Sequence, residues 1–202
     1  MLAIVEAAGW PIWLLIVASI VAVAVIVERL IFLRASNVTP AGLFDETVNE
    51  LRQRGLSDAL LTNLAQGSPL GRVFAAGLKQ TKSSPEIMKE SIEEAGRTVA
   101  YELERFLTTL GTIASISPLL GLFGTVIGMI EIFGAPSAAG DAPTILAHGI
   151  SVALYNTAFG LIVAVPSMIF YRHFRAKVDG FVIDMEQQSV KLAEIVHGAR
   201  KA

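Results

Sequence analysis

Thr125 and Thr157 each sit in a long apolar run, and neither has an acid or a lysine beside it. A threonine hydroxyl binds water or a cation through its lone pairs, yet it does not titrate near neutral pH. Around Thr125, the residues Ser117, Gly121, Gly124 and Gly128 recur at steps of three and four, which places them on one helix face. Around Thr157, Gly149, Ala153, Asn156, Gly160 and Ala164 do the same. Polar groups in apolar spans face a bundle interior or a water-filled path. Ser117, Ser151 and Asn156 therefore join Thr125 and Thr157 as candidate path residues. Gly121, Gly124, Gly128, Gly149, Ala153 and Gly160 are candidate helix-packing positions, because small residues let backbones approach. Packing alone accounts for any one of these residues, since a threonine can bond its own i−4 carbonyl. The two stripes together point to a polar-lined interior. If protons pass there, the titrating carboxylate must come from another chain.

Other chemistries find no support. "GLFGTVIG" lacks the Lys-Ser/Thr of a phosphate loop. His148, His173 and His197 are far apart, and there is no cysteine, so neither a metal site nor a thiol nucleophile is indicated. No Ser–His–Asp set or carboxylate pair lies in the apolar runs, which argues against an enzyme. Nothing calls for a cofactor or for nucleic acid.

The elements that position the hydroxyls are membrane spans. The chain has 202 residues and only 17% are charged, below the roughly 25% of soluble domains. Apolar runs long enough to cross a bilayer at 1.5 Å per residue predict spans at 10–33, 106–131 and 147–171. All 16 Lys and Arg fall between 29 and 105 or after 171. The positive-inside rule then places segments 34–105 and 172–202 in the cytoplasm, and 1–9 and the short loop 132–146 outside. The basic residues follow the first run instead of preceding it, so that run reads as an uncleaved span and not a secretion signal. Trp10 and Trp13 suit an outer aromatic belt, and Arg172, Arg175 and Lys177 suit inner anchors among lipid headgroups. Pro118 and Pro166 each remove a backbone donor inside a span, making them candidate kinks or hinges.

The cytoplasmic segments read as helices. Ser84-Pro85-Glu86 is a helix start, followed by apolar residues at Ile87, Ile92, Ala95, Val99 and Leu103. Nothing in the sequence stops this helix, which predicts one helix of about 45 residues running into the second span. The third span is expected to continue to about Val196, with Phe174, Val178, Phe181 or Val182, Met185, Leu192 and Val196 on one face, Ser189 as a polar exception and Gly198 at the end. Two long amphipathic helices are expected to find cover in an intermolecular bundle. The fold class is thus an all-α integral membrane protein with three spans, two of them extended as long cytoplasmic helices.

"SPLLGLFGTVIGMI" followed by "HGISVALYNTAFGLIVAVPSMIFY" resembles the MotA/TolQ/ExbB proton-channel family over about residues 85–180. The three-span layout is closest to ExbB and TolQ, since MotA has four spans. The resemblance implies a homopentameric ring in the bacterial inner membrane, N-terminus outside and C-terminus inside. The ring would surround an ExbD- or TolR-like single-span partner whose membrane aspartate takes up and releases protons. By motif match, Thr125 in "GLFGTV" and Thr157 in "ALYNTAFG" face that partner. Proton flow then drives a TonB- or TolA-like protein, TonB-dependent import being favoured over Tol-type envelope maintenance. One departure stands out. Relatives often carry a glutamate in a "GIAEAL"-like pattern where this chain has Val152, so the ring is expected to rely on the partner's aspartate. A non-conducting membrane scaffold assembled through the glycine faces is the alternative.

Overall fold

A computed structural model describes residues 9–134 and 142–198. Among them every regular element is a helix: α1 Ile12–Phe32, α2 Ala35–Val38, α3 Leu43–Arg54, α4 Asp58–Gln66, α5 Pro69–Lys79, α6 Pro85–Leu103, α7 Leu107–Gly134 and α8 Ala142–Val196. Three stretches are long and apolar enough to cross a membrane: α1, α7 and, within α8, Gly149–Val196. The expected outer segment 1–9 lies almost wholly outside the described residues, as does the centre of the expected loop 132–146 and the side chains of His148 and Val152.

The chain divides into two compact units. The first comprises residues up to 28 together with 106–173. Here α1 buries Ile12, Leu15 and Ala22 while Trp13, Val17, Ile20 and Val23 stay exposed, a pattern suited to lipid on one side and helices on the other. Trp10 meets the Phe123 ring edge-on at 5.9 Å.

The second unit comprises 29–105 and the residues from 174 onward. Three of its helices, α4, α5 and α6, begin at serine caps. The hydroxyls of Ser57, Ser68 and Ser84 accept from the amides of Leu60, Gly71 and Ile87, and prolines follow Ser68 and Ser84 at the first helical turn. α4, α5 and α6 pack in succession. The contacts are close because of two glycines. A β-carbon on Gly71 would lie 2.7 Å from the Leu64 carbonyl oxygen, and one on Gly77 would lie 2.8 Å from the Ile92 side chain.

The apolar stripes predicted for α6 and for the end of α8 are covered by this chain's own helices, not left for an intermolecular bundle. Met88, Ile92, Val99 and Leu103 are buried on α6, while Ile87, expected on the same face, is exposed. Phe174, Val178, Phe181, Met185 and Leu192 are buried on α8, and so is Ser189, whose hydroxyl has no hydrogen-bond partner. α8 ends at Val196, with Gly198 at φ 71°.

The continuous helix expected from 85 into the second span does not form. α6 stops at Leu103, and α7 starts at Leu107 after a turn in which Phe106 takes φ 65°. A bulky residue in the left-handed region costs about 1–2 kcal/mol, so the turn must be held from outside. Three arginines hold it. The Arg29 guanidinium donates to the Leu103 carbonyl at 3.1 Å. Arg72 grips Glu102 with both terminal nitrogens, at 3.0 and 2.6 Å. Arg175 pairs with Glu104 at 2.9 Å. Arg175, expected among lipid headgroups, is therefore engaged with protein carboxylates, Asp179 at 3.7 Å included.

Candidate functional site: the seam between the second and third apolar helices

Within the first unit, α7 and residues 149–171 of α8 run antiparallel in close contact. The contacts fix the register. Gly111 lies opposite Tyr171, Gly121 opposite Asn156, Thr157 and Gly160, Gly124 opposite Asn156, and Gly128 opposite Ala153. At the centre no side chain intervenes. A β-carbon on Gly121 would lie 2.7 Å from the Asn156 carbonyl oxygen, and one on Gly160 would lie 2.6 Å from the Ser117 carbonyl oxygen. Glycine at both positions is what lets the two backbones touch. Gly124 makes room for the Asn156 side chain, and Gly149 faces Ile132.

Ser117, Asn156 and Ala153 are buried in this seam. The Ser117 hydroxyl donates to the Ile113 carbonyl at 2.7 Å. Within the single chain Ser117 and Asn156 have almost no exposed surface. Thr125 and Thr157 flank the seam and are half-buried, and Ser151 is exposed. The Thr125 hydroxyl donates to the Leu122 carbonyl at 2.7 Å, which spends its proton and leaves the oxygen lone pairs available. Pro118 and Pro166 lie inside continuous helices. Each leaves the carbonyl four residues earlier, Ala114 or Ile162, without the amide donor another residue would supply.

Sequence reading missed a second set of hydroxyls. Thr108, Thr112 and Ser115 are exposed on α7 at i, i+4 and i+7, a spacing that was there to be read. It also missed Arg29, which looks like an interfacial anchor in sequence but is buried against Leu103 and the Phe32 ring, 4.8 Å from its guanidinium.

The seam lies inside the segment that decides the family. Residues 65–187 match the MotA/TolQ/ExbB proton channel family. The chain belongs to that family. Among relatives, biopolymer transport protein ExbB-like 3 of Synechocystis is 31% identical over 164 residues, covering 78% of this chain and 77% of its own length. The Tol-Pal system protein TolQ of Haemophilus influenzae is 32% identical over 198 residues, covering 91% and 86%. Biopolymer transport protein exbB1 of Vibrio cholerae reaches 52% identity, over 66 residues that cover 32% of this chain and 28% of its own length. This is therefore an ExbB/TolQ-family proton channel subunit with apolar helices fit to span a membrane.

Proposed function

We propose that the chain is the ring subunit of an inner-membrane, proton-driven motor of the ExbB/TolQ kind. Five copies surround an ExbD- or TolR-like single-span partner, with the N-terminus outside, the C-terminus inside and spans near 10–33, 106–131 and 147–171. The observation that carries the reading is the seam itself. Two helices are locked backbone to backbone by Gly121 and Gly160, with the hydroxyls of Thr125 and Thr157 kept at its edge where another helix can reach them. Beside Thr125 and Thr157 the spans supply lone pairs but no carboxylate, so the proton is carried by the partner's membrane aspartate. The hydroxyls stabilise the water and hydronium beside that aspartate, and proton flow powers a TonB- or TolA-like protein. The import-type role is favoured, and the ion is H⁺.

The test is the complex purified in detergent with its own partner and reconstituted into vesicles. Native mass should give five copies of this chain with a single-span protein carrying a membrane aspartate. Thr157→Val should cut proton flux at least tenfold while that mass is unchanged. Undiminished flux in Thr157→Val would remove the threonine from the path, and a complex without such a partner would favour the scaffold.

A further inference from the structure

A groove of about 390 Å³ opens between the start of α7, next to residue 105 in sequence, and the part of α8 that precedes residue 172. Its lining is Thr108, Gly111, Thr112, Ser115, Ile116, Met168 and Tyr171. Four of these seven residues carry a hydroxyl, in a helix pair otherwise fit for lipid. Gly111 builds the groove, since a β-carbon there would lie 3.1 Å from the Tyr171 ring, so the ring rests on bare backbone.

The polarity of the groove is defined. The Thr112 hydroxyl donates to the Thr108 carbonyl at 2.8 Å, and the Ser115 hydroxyl to the Gly111 carbonyl at 2.9 Å. Both of these protons are thus committed to the helix, which leaves Thr112 and Ser115 as acceptors, while the Thr108 and Tyr171 hydroxyls can donate as well as accept. Such a surface suits water and the hydration shell of a cation.

The groove also lies on the same side of the seam as the two threonines. Thr157 and Met168 are eleven residues apart, about 20° from eclipsed at 100° per residue, and Thr125 and Gly111 are fourteen apart, about 40° from eclipsed. Thr157 stands level with Gly121. At 1.5 Å per residue, the levels of Thr125, Thr157, Ser115, Thr112 and Thr108 then follow at intervals of about 6, 9, 4.5 and 6 Å. The series spans about 25 Å of a hydrocarbon core about 30 Å thick.

From this we propose that the Thr108–Thr112–Ser115–Tyr171 groove is a water-filled passage for a monovalent cation, continuing the path from Thr125 and Thr157 to the membrane face next to Arg105 and Arg172. The proposal rests on the ion-path reading above. Water fills the gaps between hydroxyl levels, two or three molecules deep, and no side chain in the groove changes its own protonation.

The chain lacks cysteine, which makes accessibility the direct test. In the assembled complex in native membranes, Thr112→Cys and Ser115→Cys should react with a small cationic thiol reagent at least tenfold faster than Ile169→Cys. Ile169 is 61% exposed, lies outside the groove and stands between the levels of Thr108 and Thr112, so it reports the rate away from the groove. Only a hydrated thiol ionises and reacts. Equal rates would overturn the proposal, whether lipid or a neighbouring subunit fills the groove. In vesicles, Thr112→Val with Ser115→Ala should lower flux about tenfold with oligomer mass unchanged, and Thr112→Ser should restore it. Reactive cysteines with full flux in the Val/Ala variant would also overturn the passage. Because Thr157→Val is assayed alongside, a groove that fails while Thr157→Val still blocks flux sinks this proposal alone.

Discussion

The guanidinium of Arg29, at the end of the first apolar helix, caps the last turn of α6 through the carbonyl of Leu103 at 3.1 Å. Helix C-termini leave carbonyls without donors, and a cation there also meets the negative end of the helix dipole. With the neighbouring Arg72–Glu102 and Arg175–Glu104 pairs, residues 102–104 are tethered by three arginines.

Arg29→Ala should therefore destabilise the protein by about 2 kcal/mol, the cost of losing a charged hydrogen bond and stranding a buried carbonyl. Arg29→Lys should recover part of it, because an ammonium donates but cannot reproduce the planar contact with Phe32. Thermal unfolding of the purified complex reads both, and an Arg29→Ala midpoint equal to wild type would refute the capping role.

Residue 106 should tolerate glycine better than a β-branched residue. Phe106 sits at φ 65°, where glycine is unstrained and valine is least at ease. Phe106→Val should lower the melting midpoint more than Phe106→Gly does. The reverse order would mean that the Phe106 ring, not the backbone angle, sets the cost.

The Arg72–Glu102 pair predicts a pH dependence. The hydrogen bonds from Arg72 hold the Glu102 carboxyl below its ordinary value of 4.5. A group with a lowered folded pKa stabilises the fold above that ordinary value, and its contribution disappears as pH falls through the folded value. Both side chains are more than a third exposed, so the contribution stays below about 1 kcal/mol. Glu102→Gln should flatten the acid limb of a melting-point profile below pH 4.5. An unchanged limb would assign it to other carboxylates.

Helix glycines should divide by what lies above them. Gly160→Ala drives a methyl into the Ser117 carbonyl and should cost more than about 2 kcal/mol, or prevent assembly. Gly180, on the exposed side of α8, has no atom within 4 Å of the place an added methyl would take. It should accept alanine and gain about 0.5–1 kcal/mol from helix propensity. Equal effects at the two sites would contradict the packing described for the seam.

Much of this protein was legible from local chemistry. Composition and apolar run length determined the three apolar helices, because a bilayer imposes a length and a charge limit that sequence reports directly. Ser84-Pro85 determined the start of α6, and Gly55 and Gly198, both at positive φ, mark helix ends for the same local reason. The recurrence of small residues placed Gly121, Gly124 and Gly160 on contact faces. Tertiary structure decided which face meets which. It closed Ser117 and Asn156 inside the seam and left Thr125 and Thr157 at its edge, a difference of some 80–100° around each helix whose outcome spacing alone does not give. It also decided the break at 104–106. No glycine or proline marks that turn, because its stability comes from arginines 30 to 74 positions away in sequence, and local sequence carries no trace of partners that distant.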